Sequence, residues 1–333
     1  MGSRVIALPE PRGAVTDLLL SALPEGPSPL PATEPTGDED LHLALYLCYE
    51  LHYRGLPGVD DRWEWEPSLL SLRAALEERF EADLRRDVPL PQPRRAMDLE
   101  LRAIEAADEA PSLSRHLERA GTLDQYLEFV VHRSAYQLKE ADPHSWALPR
   151  LHGGPKAAMV EIQADEYGGG DADRIHAQLF ARTMDALSLD SRYGAYVEHL
   201  PAVTLARVNL MSLFGLHRRL RGAIVGHLAL FEMTSSVPNR RYANGLRRLG
   251  FDGDVLEFYD EHVVADAVHE NVAAVDLAGG LARQDPTLAA DILWGAAALV
   301  ELEGRFARHL LDAWAAARSS LRRPIAQTAA AAG

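Results

Sequence analysis

The chain has 333 residues, of which 47% are apolar, and a formal net charge of −15. This apolar fraction is ample for a buried core, and the acidic balance argues against a nucleic-acid partner, because phosphate backbones bind basic surfaces. The single cysteine, Cys48, excludes an internal disulfide and suits a reducing cytoplasm. No secretory signal is expected, and the most apolar stretch, 205–231, contains too many charged residues to predict a membrane span.

Helical periodicity dominates the chain, and no segment alternates with period two, which predicts an all-α protein. We expect a Pro-rich extended arm over residues 1–38, one helical domain over 39–322 and a loose tail over 323–333. Breakers and caps predict helices at about 15–23, 40–54, 67–86, 96–107, 112–119, 123–141, 155–167, 173–188, 201–219, 222–233, 239–249, 253–275, 286–299 and 300–319. Residues 234–240 are predicted to form a loop. In the helix predicted before this loop, Gly222 and Gly226 indicate close packing.

A stripe of ligand-type side chains stands in the helix predicted for 253–275. At 100° per residue, His262, Asp266 and His269 fall at about 0°, 40° and −20°, which places them on one face. Two imidazoles and a carboxylate one turn apart form half of a site for iron, manganese or zinc. On its own, this spacing is equally well explained by core or solvated residues.

Three further segments complete a ligand set. Asp173 and His176 form a second carboxylate-x-x-His pair, and Glu140 and Glu166 each end a periodic helical segment. Bundles that hold two metal ions use this combination of paired and single ligands. The triplet 168–170 consists of glycines, which allows the chain to bend so that both Glu166 and His176 point inward.

This ordered set resembles the haem-oxygenase-like di-iron oxidase superfamily, and most closely its actinobacterial proteins labelled iron-containing redox enzymes. The similarity covers about residues 126–269 and includes the segments 136–144, 161–170 and 231–236. The resemblance implies a haem-oxygenase-like helical bundle with additional N-terminal helices, two Fe(II)/Fe(III) ions and O2 as a co-substrate. The implied metal ligands are Glu140, Glu166, Asp173, His176, His262, Asp266 and His269. Asp173 stands where some members seem to carry Glu, and its shorter reach makes it a weak or outer ligand.

The resemblance also implies an oxidase of specialised metabolism that acts through a peroxo-diferric intermediate on a small amino-acid-like substrate. The reaction is either N-oxygenation or C–H oxidation, and an external electron donor is needed. Candidate substrate contacts are Arg133, Tyr136, His227, Phe231 and Arg240, where each guanidinium has a structural ion pair as its alternative role. A non-catalytic iron buffer and an oxidase of fatty-acid-like substrates are the alternatives. We expect a cytoplasmic protein without a nucleic-acid or membrane partner, and a homodimer is left open.

Overall fold

The computed structural model describes residues 6–325, and within them every side chain except those of 264–268. Residues 1–5 of the predicted arm and 326–333 of the predicted tail lie outside the described residues. The side chain of Asp266 lies outside them as well.

The described part of the chain is all α-helical and contains no strand, which confirms the predicted fold class. Its helices are α1 Ala14–Ala22, α2 Asp38–Glu50, α3 Pro67–Asp87, α4 Met97–Ala106, α5 Leu113–Arg119, α6 Leu123–Gln137, α7 Asp142–Ser145, α8 Gly153–Glu166, α9 His176–Ala186, α10 Ala202–Leu216, α11 Arg221–Arg248, α12 Asp254–Asn271, α13 Gly279–Gln284 and α14 Ala289–Ala315. A π-helical stretch, Val272–Ala278, joins α12 to α13. None of these helices has both the length and the apolar content to cross a bilayer.

Local chemistry sets the ends of α6. Its first turn is closed by a capping box in which the Thr122 hydroxyl accepts from the Gln125 amide, while the Gln125 side chain accepts from the Thr122 amide. The helix ends at Gln137, four residues before the predicted end at 141. Ala141 then adopts a left-handed φ of 75°, which turns the chain ahead of Pro143.

Two predicted breaks are absent. The segment 234–240, predicted as a loop, continues α11 as one 28-residue helix through Pro238. Proline removes one backbone N–H, so the Thr234 carbonyl loses its usual donor. The helix tolerates this loss, and the Thr234 hydroxyl donates to the Leu230 carbonyl at 2.8 Å. The predicted break near 299 is also wrong: α14 runs unbroken because this stretch contains neither proline nor a turn sequence.

Helix α11 is the centre of the bundle, and it packs against α12 on one side and α14 on another. Helices α11 and α14 cross closely because each has a glycine that faces the backbone of the other helix. A Cβ at Gly226 would overlap the Ile292 carbonyl oxygen, and a Cβ at Gly295 would overlap that of Ala223. The predicted close packing of the α11 glycines is therefore confirmed. The crossing with α14 also fixes the position of α11 relative to α12.

We expect Gly226→Ala to destabilise the fold by about 1–3 kcal/mol, because the added methyl group must push two packed helices apart. The measurement is the free energy of unfolding in denaturant. Gly154→Ala is the matched control, since a Cβ at this helical position meets no atom within 4 Å. Equal stability of the two variants would contradict the close crossing.

Candidate metal centre

Four predicted ligands meet at one buried point. Glu140, Glu166, His176 and His262 each offer a ligand atom, and these atoms all lie within 4.8 Å of one another. A second group consists of Glu166, Glu232 and His269 and meets the same distance limit. Glu166 belongs to both groups, so the two form one continuous cluster of three carboxylates and three imidazoles.

Glu140 is placed by the turn after α6 rather than by the helix itself. The Gln137 side chain donates to Glu140 Oε1 at 3.1 Å, and the Gln163 side chain donates to the Ala141 carbonyl at 2.9 Å. These two amides brace the turn from both sides. The left-handed Ala141 is a locally costly conformation, of the kind that a surrounding structure must hold in place.

Glu166 and His176 are brought together by the glycine turn predicted between them. Glu166 ends α8 and His176 begins α9, and His176 Nδ1 lies 3.0 Å from Glu166 Oε2. Gly168 has a φ of 68°, and a Cβ there would lie 2.7 Å from the Arg174 backbone carbon. Only glycine fits this bend, as the sequence indicated.

His262 is held in one tautomer by its own helix. Its Nδ1 lies 2.7 Å from the Phe258 carbonyl oxygen, which can only accept, so Nδ1 carries the proton. The other nitrogen, Nε2, consequently faces the cluster, 3.6 Å from Glu140 Oε1. An imidazole whose outer N–H donates to a carbonyl is the usual arrangement of a metal-binding histidine.

His269 is oriented by two carboxylates. Its Nε2 lies 2.8 Å from Asp165 Oδ2, and its Nδ1 lies 3.4 Å from Glu232 Oε2. The carboxylate of Asp165 is largely exposed, whereas that of Glu232 is buried. His269 therefore has an outer acceptor and an inner partner, which again matches a histidine prepared for a metal ion.

Glu232 is the site residue that the sequence reasoning missed. It lies on α11 inside the 231–236 segment that carried part of the resemblance, but no histidine stands at metal-ligand spacing beside it. In the continuous helix, Glu232 lies on the same face as Leu228 and Ser235, and this face points toward α12.

The structure corrects the prediction for Asp173, which is exposed and lies outside the cluster. The prediction assumed that Asp173 and His176 share one helix. Instead, Asp173 lies in the 3₁₀ turn Ala172–Arg174, and α9 begins only at His176, so the i, i+3 relation does not apply. Two acidic residues of α12, Glu261 and Glu270, form ion pairs with Arg174 and Arg102 respectively.

The charges of the cluster depend on one another. Burial raises the pKa of Glu166, but His176 outweighs it, with help from His262 and His269, and lowers that pKa to about 2. Burial lowers the pKa of His269, but Glu232, Asp165 and Glu166 outweigh it and raise that pKa to about 9. Glu166 is therefore ionised at neutral pH and attracts positive charge into the core.

These residues fit a metal centre. Among the described residues, Glu140 Oε2 is buried and accepts no hydrogen bond, and Glu166 Oε2 lies 3.0 Å from the Nδ1 of His176. A buried carboxylate oxygen without a donor is costly, and a cation satisfies it. Carboxylate and imidazole donors together are a set that binds non-haem iron.

A cavity of about 520 Å³ opens onto this cluster, because Glu140 and His262 are among its lining residues. Arg133 and Phe231, two of the predicted substrate contacts, line it as well. Tyr136 and His227 line only a separate small void, which they share with Phe231. His227 also bonds to His144, with a distance of 3.0 Å between Nε2 of His144 and Nδ1 of His227.

Arg240, the remaining predicted substrate contact, is exposed and does not line the cavity. Its neighbour Arg241 does, with Nη1 lying 3.4 Å from the hydroxyls of Ser112 and Ser114. The prediction relied on a loop, but in the continuous α11 adjacent residues point about 100° apart. The helix therefore directs Arg241 to the cavity and Arg240 to solvent.

Comparison with known proteins agrees with this site. The profile of the iron-containing redox enzyme family matches residues 127–304, which is more than half of the chain. A nitrosourea synthase from Streptomyces achromogenes subsp. streptozoticus is 30% identical over 138 residues. The aligned part is 41% of this chain and 29% of that enzyme, so the chain matches less than a third of its relative.

The pKa of His269 predicts how the metal-free protein responds to alkali. Because the folded pKa of about 9 lies above the ordinary value of 6.5, the stabilisation is complete below pH 6.5 and is lost as pH rises through 9. We expect the free energy of unfolding to fall by an amount on the order of 1–2 kcal/mol. This is less than the full pKa shift implies, because solvent around Asp165 weakens its interaction with His269. The measurement is the free energy of unfolding between pH 6 and 9.5. His269→Gln should flatten this slope, whereas the exposed control His152→Gln should keep it; identical slopes in all three proteins would contradict the assignment.

Proposed function

Because this chain belongs to the family of iron-containing redox enzymes, we propose that it is an oxygen-dependent non-haem di-iron oxidase. Its substrate is a small amino-acid-like compound of specialised metabolism. The observation that carries the proposal is the convergence of three buried carboxylates and three buried imidazoles on the inner wall of a substrate-sized cavity.

The two ligand groups divide the site between two ions. Glu140, Glu166, His176 and His262 would hold the first ion, and Glu166, Glu232 and His269 the second. Glu166 belongs to both groups and would contribute to holding both ions. Asp266, predicted to share a stripe with His269, lies outside the described side chains and stays a predicted ligand. Asp173 takes no part.

When bound, the iron supplies the electrons with which O2 is reduced, and an external donor restores them. The chain's own residues prepare the site for this chemistry. The carboxylates of Glu140, Glu166 and Glu232 compensate the charge of the ions in a dry interior. Phe258 and Asp165 keep the outer protons on His262 Nδ1 and His269 Nε2, so that each ring presents its other nitrogen. Aromatic residues around the cavity, among them Phe180 and Phe231, exclude water from the substrate.

The reaction that we favour is N-oxygenation. A nitrosourea carries an oxidised nitrogen, so the name of the relative describes chemistry at nitrogen, and the similarity includes part of the family match. C–H oxidation of an amino acid by desaturation, cyclisation or cleavage is the second candidate. The mixed aromatic and charged lining of the cavity supports a small polar substrate over a fatty acid.

A non-catalytic iron buffer is the competing role, and the cavity argues against it. Storage requires a route for ions but no large aromatic chamber beside the ligands. Here Glu140 and His262 line the chamber directly, so a molecule within it reaches the ligand atoms.

The test is oxygen consumption by the Fe(II)-loaded protein with a panel of free amino acids, followed by mass spectrometry under ¹⁸O2. We expect one or more amino acids to accelerate oxygen uptake and to yield a product that is labelled or has lost two hydrogens. Label in the product supports oxygenation, and loss of hydrogens without label supports desaturation. Oxygen uptake that no amino acid changes, with iron accumulating beyond the two sites, favours the buffer. Acceleration by fatty acids alone would overturn the amino-acid assignment.

The ligand assignment predicts opposite outcomes for two acidic residues of the same segment. Glu166→Gln should lower iron affinity by more than the roughly 10–100-fold typical of residues that only orient ligands, because it removes the shared carboxylate. Asp173→Asn should bind as much iron as the unaltered protein. The measurement is iron content after anaerobic loading and desalting, with circular dichroism as the folding control. Loss of iron from Asp173→Asn, or full loading of Glu166→Gln, would contradict the assignment.

A further inference from the structure

The cavity has a charged group in its wall that the metal centre does not use. Arg133 and Glu303 line the cavity, and Arg207 lies behind them. Arg207 Nε donates to Glu303 Oε1 at 2.8 Å, and its Nη2 contacts the same oxygen. Both nitrogens of the Arg133 fork lie 3.5 Å from Glu303. Two guanidinium groups thus share one carboxylate, which leaves one positive charge uncompensated.

No nearby acid supplies the missing negative charge. Besides Glu303, the phenol of Tyr242 interacts electrostatically with both arginines, and the phenol of Tyr259 interacts with Arg133. Burial raises the pKa of both phenols, so they remain neutral at physiological pH. Burial also lowers the pKa of Arg207, to about 10, which still leaves it protonated. Of the other charged residues in the cavity lining, Glu140 is buried but is one of the predicted metal ligands, whereas Glu105, Asp108 and Arg115 are exposed.

Arg133 is positioned to accept a second anion. Charge-assisted N–H···O bonds measure about 2.7–2.9 Å, so the 3.5 Å contacts of Arg133 are loose, whereas those of Arg207 are tight. The Arg133 guanidinium carbon lies 5.4 Å from the ring centre of Phe129 and 5.5 Å from that of Phe306. These two rings hold the guanidinium in place by cation–π attraction without using its N–H donors.

We propose that Arg133 binds the carboxylate of the substrate, with Arg207 holding Glu303 so that it does not neutralise Arg133. This inference rests on the proposed function, and it names the substrate class as a small carboxylate with an apolar middle section. The cavity that Arg133, Glu140 and His262 line is also lined by the aromatic residues Phe129, Phe180 and Phe258. A substrate anchored at Arg133 therefore extends its far end, rather than its carboxylate, toward the metal ligands.

Hexanoate and hexanamide are the probes, because they have the same shape and differ in charge. Binding is measured by calorimetry without oxygen, on both the Fe(II)-loaded and the metal-free protein. We expect hexanoate to bind both forms and hexanamide to bind at least about tenfold more weakly, as the loss of a charged hydrogen bond implies. Equal binding of acid and amide overturns the proposal without the use of any variant.

Three variants locate the binding group. Arg133→Gln should weaken hexanoate binding by about 10–100-fold. The control Arg102→Gln removes the same charge from an exposed ion pair with Glu270 outside the cavity, and it should change nothing. Glu303→Gln should tighten binding because it removes the competing carboxylate. If Arg133, Arg207 and Glu303 had only a structural role, Glu303→Gln would not increase the affinity for hexanoate.

The outcomes separate this inference from the proposed function. If hexanoate binds only the Fe(II)-loaded protein, and equally in Arg133→Gln, the carboxylate is bound by the metal and the inference is wrong, although the oxidase proposal survives. If the amino-acid panel gives no turnover but hexanoate binding still requires Arg133, the oxidase proposal is wrong and the anion site stands.

Discussion

The burial of several negative charges at one point is the constraint on which this structure depends. Glu140, Glu166 and Glu232 are all buried and lie among three buried imidazoles. Carboxylates removed from water without compensation cost several kcal/mol each, so the core needs cations there. In the metal-free chain, protons on the imidazoles supply part of that charge, as the pKa of about 9 at His269 shows. Metal ions supply more charge and replace those protons, which couples metal binding to pH and to folding.

Helix ends, rather than helix middles, position half of these ligands. Glu166 ends α8, His176 begins α9, and Glu140 follows the end of α6. A ligand in the middle of a helix takes its direction from the helix axis, whereas a ligand at an end is aimed by the adjoining turn. The positive φ values of Ala141 and Gly168 are the local conformations that aim Glu140 and Glu166. Only α11 and α12 contribute from within helices, and the glycine crossing of α11 with α14 fixes their packing.

Periodicity and ligand chemistry were enough to predict the helical fold and five of the six residues that converge, because both are local properties of the sequence. Glu232 lay within a predicted helix and was missed because no histidine stands at metal-ligand spacing beside it. The other two failures arise where a boundary was misjudged. Asp173 was assigned a helical phase that starts only at His176, and Arg240 was chosen because a loop was predicted around Pro238. A proline inside a helix is tolerated when neighbouring side chains and packing compensate, and these compensations are tertiary and cannot be read from local sequence.

The arrangement of charges also determines which end of a substrate can react. The ligand carboxylates make one part of the cavity negatively charged, and bound metal ions would neutralise that charge. Arg133 gives another part an excess positive charge, and aromatic side chains line the same cavity. A carboxylate would be attracted to either cation, but Arg133 offers a planar pair of donors, whereas bound ions would already be surrounded by anionic ligands. For the oxidase that we propose, the electrostatics therefore favour a substrate held by its acid group, with its far end directed toward the metal ligands.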